Sequence, residues 1–326
     1  MVLVCGGAGY IGSVTVWELV DRGHDVVVID DMSTGHRESL PDSVPFVEGD
    51  IGDAELVRTT IRQHQVDSVI HFAAKSLVAE SVKDPLLYVT SNVGKTSLFL
   101  RVLQEEGVRS IVFSSSAAVY GEPEVTPIPE SHAKLPISPY GLSKWWTEET
   151  LRWCGQAWGL SWIALRYFNA AGGLPSHSLS ERHVPETHLI PRLIAAWSEQ
   201  KPADIFGTDY PTPDRSAIRD YIHVRDLAAA HILALETTAK GKSGSFNVGT
   251  GSGHSVLEVL SALEAETGSA MLRNYLPRRP GDPAALVADT RKIMADLGWR
   301  PRLSDLRKIV RSALDSFEAA GSRFAP

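Results

Sequence analysis

Strand-like and helix-like segments alternate through the first half of the chain, a glycine-rich loop separates the first of each, and an aspartate ends the second strand. These three observations predict an α/β fold: a Rossmann-type doubly wound parallel sheet, followed by a smaller C-terminal α/β unit suited to holding a substrate. The apolar run 2–5 reads as a buried strand, 13–22 as a helix and 25–29 as a strand that ends at Asp30. Strands follow at 44–48, 68–72, 110–114 and 161–167, with helices at 54–64, 86–106 and 140–157 between them. After residue 170 the pattern loosens into a polar loop, a helix near 191–198 and proline-rich turns around 210–213. Helices at 224–238, 256–266 and 306–319 follow. The expected division is therefore 1–170 and 171–326, with the chain crossing back to the sheet near 217–240. No repeat of fixed period is present.

Composition narrows the class of protein. The 326 residues, 43% of them hydrophobic, suffice for a large core and by length for two domains. A net charge of −7 without basic runs argues against a nucleic-acid partner. The two cysteines, Cys5 and Cys154, sit in apolar or helical contexts and read as packed thiols of a reducing compartment. The N-terminal residues run straight into the glycine loop, so no secretory signal is expected. No window approaches the ~20 apolar residues of a membrane span. A soluble, cytoplasmic protein is expected.

The loop "VLVCGGAGYIGS" places Gly6, Gly9 and Gly12 between a strand and a helix start, where a pyrophosphate can approach the backbone. Eighteen residues past Gly12, Asp30 would accept hydrogen bonds from adenosine ribose hydroxyls and repel a 2′-phosphate. NAD is the expected cofactor, and not NADP, although Arg37 lies nearby. Asp50 either contacts the adenine amino group or caps the next helix.

In "SPYGLSK", Tyr140 and Lys144 share one helix face. Alone, the pair reads as a solvated helix start. A phenol titrates near pH ~10, so it serves as a base only where positive charge stabilises its phenolate. Beside a nicotinamide ring, Lys144 and that ring would both do so. Ser114–Ser116 follow an apolar strand whose C-terminal end should face the cofactor, where a serine can hydrogen-bond the reacting oxygen. The histidines His177, His183 and His188 lie on a loop without zinc-like spacing, and no metal is expected. Helices 86–106 and 140–157 are apolar over much of their surface, including Trp145, Trp146 and Trp153. Core packing and a helix-pair dimer interface each account for this.

Taken together, GGAGYIGS, FVEGDI, VIHFAA, FSSSAAVYG, SPYGLSK, LRYFNAAG, PETHLIP, DYPTP, RDYIHVRDLA, FNVGTG, RPGD and LGWRP carry a resemblance that runs almost end to end. The chain resembles the extended short-chain dehydrogenase/reductases and, more narrowly, the UDP-galactose (UDP-glucose) 4-epimerases. The resemblance implies that Ser116, Tyr140 and Lys144 are the catalytic set. It assigns Phe72, Asn92 and Tyr167 to NAD, and extends the cofactor surface to Tyr10, Ile11, Ile51, Ala73, Ala74 and Ser114. It also implies that Asn169, His188, Leu189, Phe206, Arg219, Tyr221, Arg279 and Asp282 hold a UDP-glucose or UDP-galactose substrate. Arg219 and Arg279 have the planar guanidinium that suits a diphosphate. Leu286 corresponds to a residue that limits the pocket at sugar carbon 2, and a homodimer is expected.

Several positions depart from the family pattern. Ser76 stands where many members carry lysine, His188 replaces asparagine, Arg215 and Ser216 replace a glycine-threonine pair, and Val14 replaces histidine. None touches the Ser-Tyr-Lys set. Ala117 and Ala118 follow Ser116, where a 4,6-dehydratase needs an acid/base pair to eliminate water. A non-catalytic relative would be expected to lose the tyrosine or the lysine, and both are present.

Overall fold

The computed structural model describes residues 1–279 and 282–323. Pro280 and Gly281 of the RPGD motif, and the last three residues of the expected C-terminal unit, lie outside the described residues. The strands are β1 (Val2–Cys5), β2 (Val26–Asp30), β3 (Phe46–Glu48), β4 (Ser68–His71), β5 (Ser110–Ser116), β6 (Ser161–Tyr167), β7 (Asn169–Ala171), β8 (Ala203–Phe206), β9 (Ile218–Arg219), β10 (Tyr221–His223), β11 (Gly244–Val248), β12 (His254–Ser255), β13 (Arg273–Leu276) and β14 (Ala285–Leu286). The helices are α1 (Tyr10–Asp21), α2 (Ala54–His64), α3 (Val78–Lys83), α4 (Pro85–Tyr88), α5 (Lys95–Glu105), α6 (Pro139–Trp158), α7 (Leu189–Ser198), α8 (Val224–Thr238), α9 (Val256–Thr267), α10 (Arg291–Asp296) and α11 (Leu306–Arg323).

Seven strands form one sheet in the order β11-β6-β5-β4-β1-β2-β3, every neighbouring pair parallel. The pleat sends alternate residues to opposite faces. Val2 and Val4 join a core with Val16 and Leu19 of α1 and Leu227 and Ile232 of α8. Leu3 and Cys5 join a second core with Val57 of α2, Phe99 of α5 and Leu151 of α6. Both faces are covered, which is why the strands read as continuous apolar runs. The chain leaves the sheet after β6 and returns to it at β11, with α8 laid on the α1 face. The remaining C-terminal elements share a third core, in which Ile190 and Leu193 of α7 meet Leu260 of α9 and Ile309 of α11.

Two elements depart from the expectation. The helix expected at 86–106 is broken by a π turn over Val89–Gly94 between α4 and α5. The extra residue per turn carries the buried Asn92 inward, and π turns of this kind gather at functional positions. The strand expected to end at 114 continues to Ser116, because its backbone stays paired with β6 as far as Ser116 opposite Tyr167. Serines interrupt the apolar pattern but not the ladder. On α6, Trp146 and Trp153 are exposed, as are Leu86 and Leu98 on the neighbouring helical stretch, so core packing within one chain does not explain them. Among the described residues no helix is long and apolar enough to cross a membrane.

One buried ion pair locks α6 to the sheet. Glu148 accepts hydrogen bonds from Arg166 Nη2 at 2.6 Å, Arg166 Nε at 2.9 Å, Ser115 Oγ at 2.5 Å and Ser245 Oγ at 3.0 Å. Arg166 Nη1 also donates to the Tyr120 hydroxyl at 2.9 Å. Removing either partner leaves an uncompensated charge in the interior. Glu148→Ala and Arg166→Ala are each expected to lower unfolding free energy by about 3–5 kcal/mol. Denaturant midpoints check this, and the double variant should cost less than the sum of the two single ones.

Candidate active site

In a parallel sheet the C-terminal strand ends lie along one edge, and the loops that follow them build the site. The loop after β1 enters α1 at Gly9, whose helix N-terminus has no side-chain cap, so its N–H groups remain for an anion. A Cβ on Gly12 would lie 2.2 Å from the Gly6 carbonyl oxygen, so only glycine lets α1 approach the loop this closely. The Asp30 carboxylate binds the loop directly, accepting from Ala8 N–H at 2.9 Å and Met32 N–H at 3.0 Å. Burial raises its pKa, with those two hydrogen bonds opposing the shift. Two acceptor positions remain on this carboxylate. An uncapped helix N-terminus, a loop that admits close approach and an acid at the end of β2 fit a dinucleotide.

Other expected cofactor residues fall round this loop in different ways. Tyr10 turns its hydroxyl to the Gly172 carbonyl at 2.7 Å, so its side chain braces the C-terminal unit and only its backbone belongs to the loop. Ile11 packs against the α1-face core, and Ile51 is buried in the opposite one. The Phe72 and Ala73 N–H groups both donate to the Cys5 carbonyl, at 2.8 and 3.1 Å, and Ala74 follows in the same loop. The Phe72 ring lies 4.6 Å from that of His231. Asp50 pairs with Lys95 and accepts from Gly52 N–H at 2.8 Å. Asp53, not Asp50, caps α2. Arg37 lies over the Phe46 ring at 5.1 Å.

Around the reaction centre, "SPYGLSK" is indeed a helix start. Ser138 caps α6 by accepting from Gly141 N–H at 3.1 Å, and Pro139 opens the first turn. A Cβ on Gly141 would meet the Ala118 carbonyl oxygen at 2.4 Å, so glycine lets α6 close on the turn that follows Ser116. Ser116 Oγ accepts from Ala118 N–H at 3.2 Å. Lys144 Nζ donates to the Ser114 carbonyl at 2.8 Å and sits 5.8 Å from the Tyr140 ring centre. Asn92 accepts from Lys75 N–H at 2.8 Å and donates to the Lys75 carbonyl at 2.9 Å and to Ser143 Oγ at 3.0 Å. Its amide ties the loop after β4 to α6. Tyr167 donates to Ser114 Oγ at 3.4 Å.

Both titrating groups are buried. Burial lowers Lys144 to about 7, opposed by Glu148, and burial raises Tyr140, opposed by a hydrogen bond from Ser116. The sequence reading gave Lys144 the role of a standing cation; inside the fold, desolvation costs its charge.

The expected substrate residues gather on the C-terminal elements. Asn169 faces Tyr221 across the β7–β10 pair. His188 is the N-cap residue of α7, and Leu189 opens that helix. Arg219 pairs with Asp282, and the Arg279 guanidinium lies over the Phe206 ring at 4.1 Å. Three residues that sequence reasoning missed join them. Arg192 lies over Phe206 at 5.5 Å, Arg278 lies over Tyr210 at 4.2 Å, and the Tyr210 hydroxyl reaches Asp282 at 3.5 Å. The Arg278-Arg279 doublet beside RPGD was the available signal. Leu286 packs on a small cluster with Ala117 and Val119, the turn that follows Ser116.

Residues 2–249 match the model of the NAD dependent epimerase/dehydratase family. The UDP-glucose 4-epimerase of Halalkalibacterium halodurans is 48% identical over 314 residues, covering 96% of this chain and 94% of that one. The crystal structure of the Brucella ovis UDP-glucose 4-epimerase in complex with NAD has a TM-score of 0.93 at 43% identity, covering 97% of this chain and 98% of that one. The Bifidobacterium longum UDP-glucose 4-epimerase, solved with NAD+ and UDP, has a TM-score of 0.90 at 36% identity, covering 98% of each chain.

The Lys144 shift has a defined stability sign. Lysine in the unfolded chain titrates at 10.5 and folded Lys144 at about 7, so between these values the unfolded state holds a proton that the folded state lacks. Stability of the nucleotide-free protein therefore gains from rising pH across this window, and below pH 7 the fold bears the full cost of a buried ammonium. Relative to Lys144→Met, the unmodified protein should gain unfolding free energy from about pH 7 to pH 10. Parallel denaturant titrations at several pH values check this, and a constant difference between the two proteins would contradict it.

Proposed function

The chain belongs to the NAD dependent epimerase/dehydratase family, and within it we propose an enzyme that interconverts UDP-galactose and UDP-glucose by transient oxidation at sugar carbon 4. The observation that carries this reading is Tyr140 and Lys144 on one face of α6, closed against Ser116 at the end of β5. Tyr140 takes the proton of the 4-hydroxyl, and Ser116 hydrogen-bonds the same oxygen. Lys144, held by the Ser114 carbonyl, supplies the nearby proton-binding group. Bound NAD supplies hydride acceptance at carbon 4 and its return to the opposite face, with a positively charged ring in the oxidised form. Asp30 binds the adenosine ribose, the N-terminus of α1 binds the pyrophosphate, and the backbone around Tyr10, Ala73 and Ala74 completes that surface.

Residues 1–170, with the returning α8 and β11, make the cofactor-binding unit, and the rest of 171–326 holds the nucleotide sugar. Arg219 and Arg279 take the diphosphate, and Arg192 adds charge beside Phe206. The Arg219–Asp282 pair holds one guanidinium in place before substrate arrives. The exposed Leu86, Leu98, Trp146 and Trp153 support a homodimer through the stretch 86–106, which spans α4 and α5, and through α6. Two unbridged cysteines accord with a cytoplasmic enzyme.

Incubation with UDP-galactose and no added NAD should yield UDP-glucose, because the cycle regenerates its cofactor. Net NAD consumption with an oxidised sugar product would identify a dehydrogenase instead. Tyr140→Phe should fold normally and lose ~10²-fold or more in turnover. Near-normal turnover in the folded variant would remove the assigned base.

Leu286 generates a separate prediction about specificity. An acetamide at sugar carbon 2 would press a polar group onto this branched apolar side chain, at a cost of about 1–3 kcal/mol. UDP-N-acetyl sugars should therefore be slower by about 10–100-fold. Leu286→Ser should narrow that gap and Leu286→Tyr widen it, as ratios of kcat/KM. An unchanged ratio across the three proteins would exclude Leu286 as the residue that limits the pocket.

A further inference from the structure

The loop before α7 brings together side chains that neither the glycine loop nor the Ser-Tyr-Lys centre uses. Glu181, His183 and His188 each offer one ligand atom, and these three atoms lie within 4.8 Å of one another. Glu181 Oε1 is 3.1 Å from His188 Nδ1 and 3.7 Å from His183 Nδ1. A tetrahedral zinc ion with bonds of about 2.0–2.1 Å sets its ligand atoms about 3.3 Å apart, so these separations match the edges of such a site.

The surroundings favour a cation over a self-contained hydrogen-bond network. The Glu181 side chain is 8% exposed, and the Glu186 carboxylate beside it deepens the cost of its charge. His183 Nδ1 is sealed from solvent and has no hydrogen-bond partner among the described residues. Glu186 itself shapes the turn, accepting from the N–H groups of His183 at 3.1 Å and of Thr187 and His188 at 2.8 Å. That clamp aims both histidines at Glu181. The expectation of no metal rested on sequence spacing, but the turn brings positions 181 and 183 up to 188 without a helix or strand between them.

We propose that Glu181, His183 and His188 bind one zinc-class divalent ion that fastens this loop to the start of α7. Two imidazoles and one carboxylate suit zinc better than magnesium or calcium, which favour oxygen ligands. Binding through Nδ1 replaces the His188 contact with Glu186 Oε1 at 2.8 Å, and the neutral ring then carries its one proton on Nε2. The fourth position is open to water. The ion would hold His188 and Leu189 at the helix N-terminus whatever sugar the enzyme turns over.

The test uses the full-length protein without a polyhistidine tag, stripped with dipicolinate, reloaded with zinc and freed of excess metal. Plasma mass spectrometry should find about one zinc per chain, and zinc should raise Tm above that of the stripped protein. Glu181→Gln and His183→Ala should each weaken zinc binding by about 100-fold or more in chelator competition. His177→Ala, whose ring stacks on Trp17 at 3.6 Å, should leave zinc binding intact. Retained absorbance of bound nucleotide and unchanged circular dichroism establish that each variant folds. A reloaded protein without zinc, an unchanged Tm, or folded Glu181→Gln and His183→Ala proteins that bind zinc as the unmodified one does would each overturn the proposal.

Discussion

The interior contact between Glu148 and Arg166 determines where the reaction centre stands. Tyr140, Lys144 and Glu148 follow one another at intervals of four along α6, so one helix face carries the proposed base, its partner and the anchor. Glu148 engages Arg166 on β6, Ser115 on β5 and Ser245 on β11, which fixes the rotation and height of the helix against three strands at once. A hydrophobic contact could hold α6 as tightly but would tolerate sliding. A four-fold hydrogen-bonded charge has one geometry in which every donor is used.

That anchoring carries an electrostatic consequence. A face packed tightly enough to hold Glu148 also strips water from Tyr140 and Lys144, and both are driven toward their neutral forms. The pair at rest is thus a phenol beside an amine of near-neutral pKa. The positive charge that would stabilise the Tyr140 phenolate is then supplied by what binds. Tying base strength to occupancy of the cleft suits a reaction that must begin only when cofactor and sugar are both in place.

The C-terminal elements are held by acids that the motifs contain but whose task the motifs do not reveal. Asp220 of RDYIHVRDLA accepts from Thr250 N–H and Oγ1, Gly251 N–H and Ala288 N–H, joining three separate segments. Asp226 accepts from Arg302 N–H, Leu303 N–H and Ser304 Oγ, fastening the chain before α11 to the start of α8. The buried Asp220 thereby fixes the backbone of Arg219 and Tyr221, which flank it in the chain and which the proposed function places beside the nucleotide sugar.

The sequence by itself determined the layered sheet and the order of its parts, because strand and helix periodicity, helix caps and glycine loops are local properties of a few neighbouring residues. The bounds 54–64, 161–167 and 224–238 are recovered to the residue, and the Ser-Tyr-Lys order is readable for the same reason. Only the tertiary structure decided the π turn that buries Asn92, the continuation of β5 through its serines, and the exposure of Trp146 and Trp153. It alone brought Arg192 to the Phe206 ring that Arg279 also covers, and Glu181 to two histidines whose spacing had argued against a metal. It also lowered the pKa of Lys144 to about 7, so that its charge is not a standing one. Each of these depends on which segments meet and on how much water their meeting excludes, and desolvation and long-range pairing leave no periodic trace along the chain.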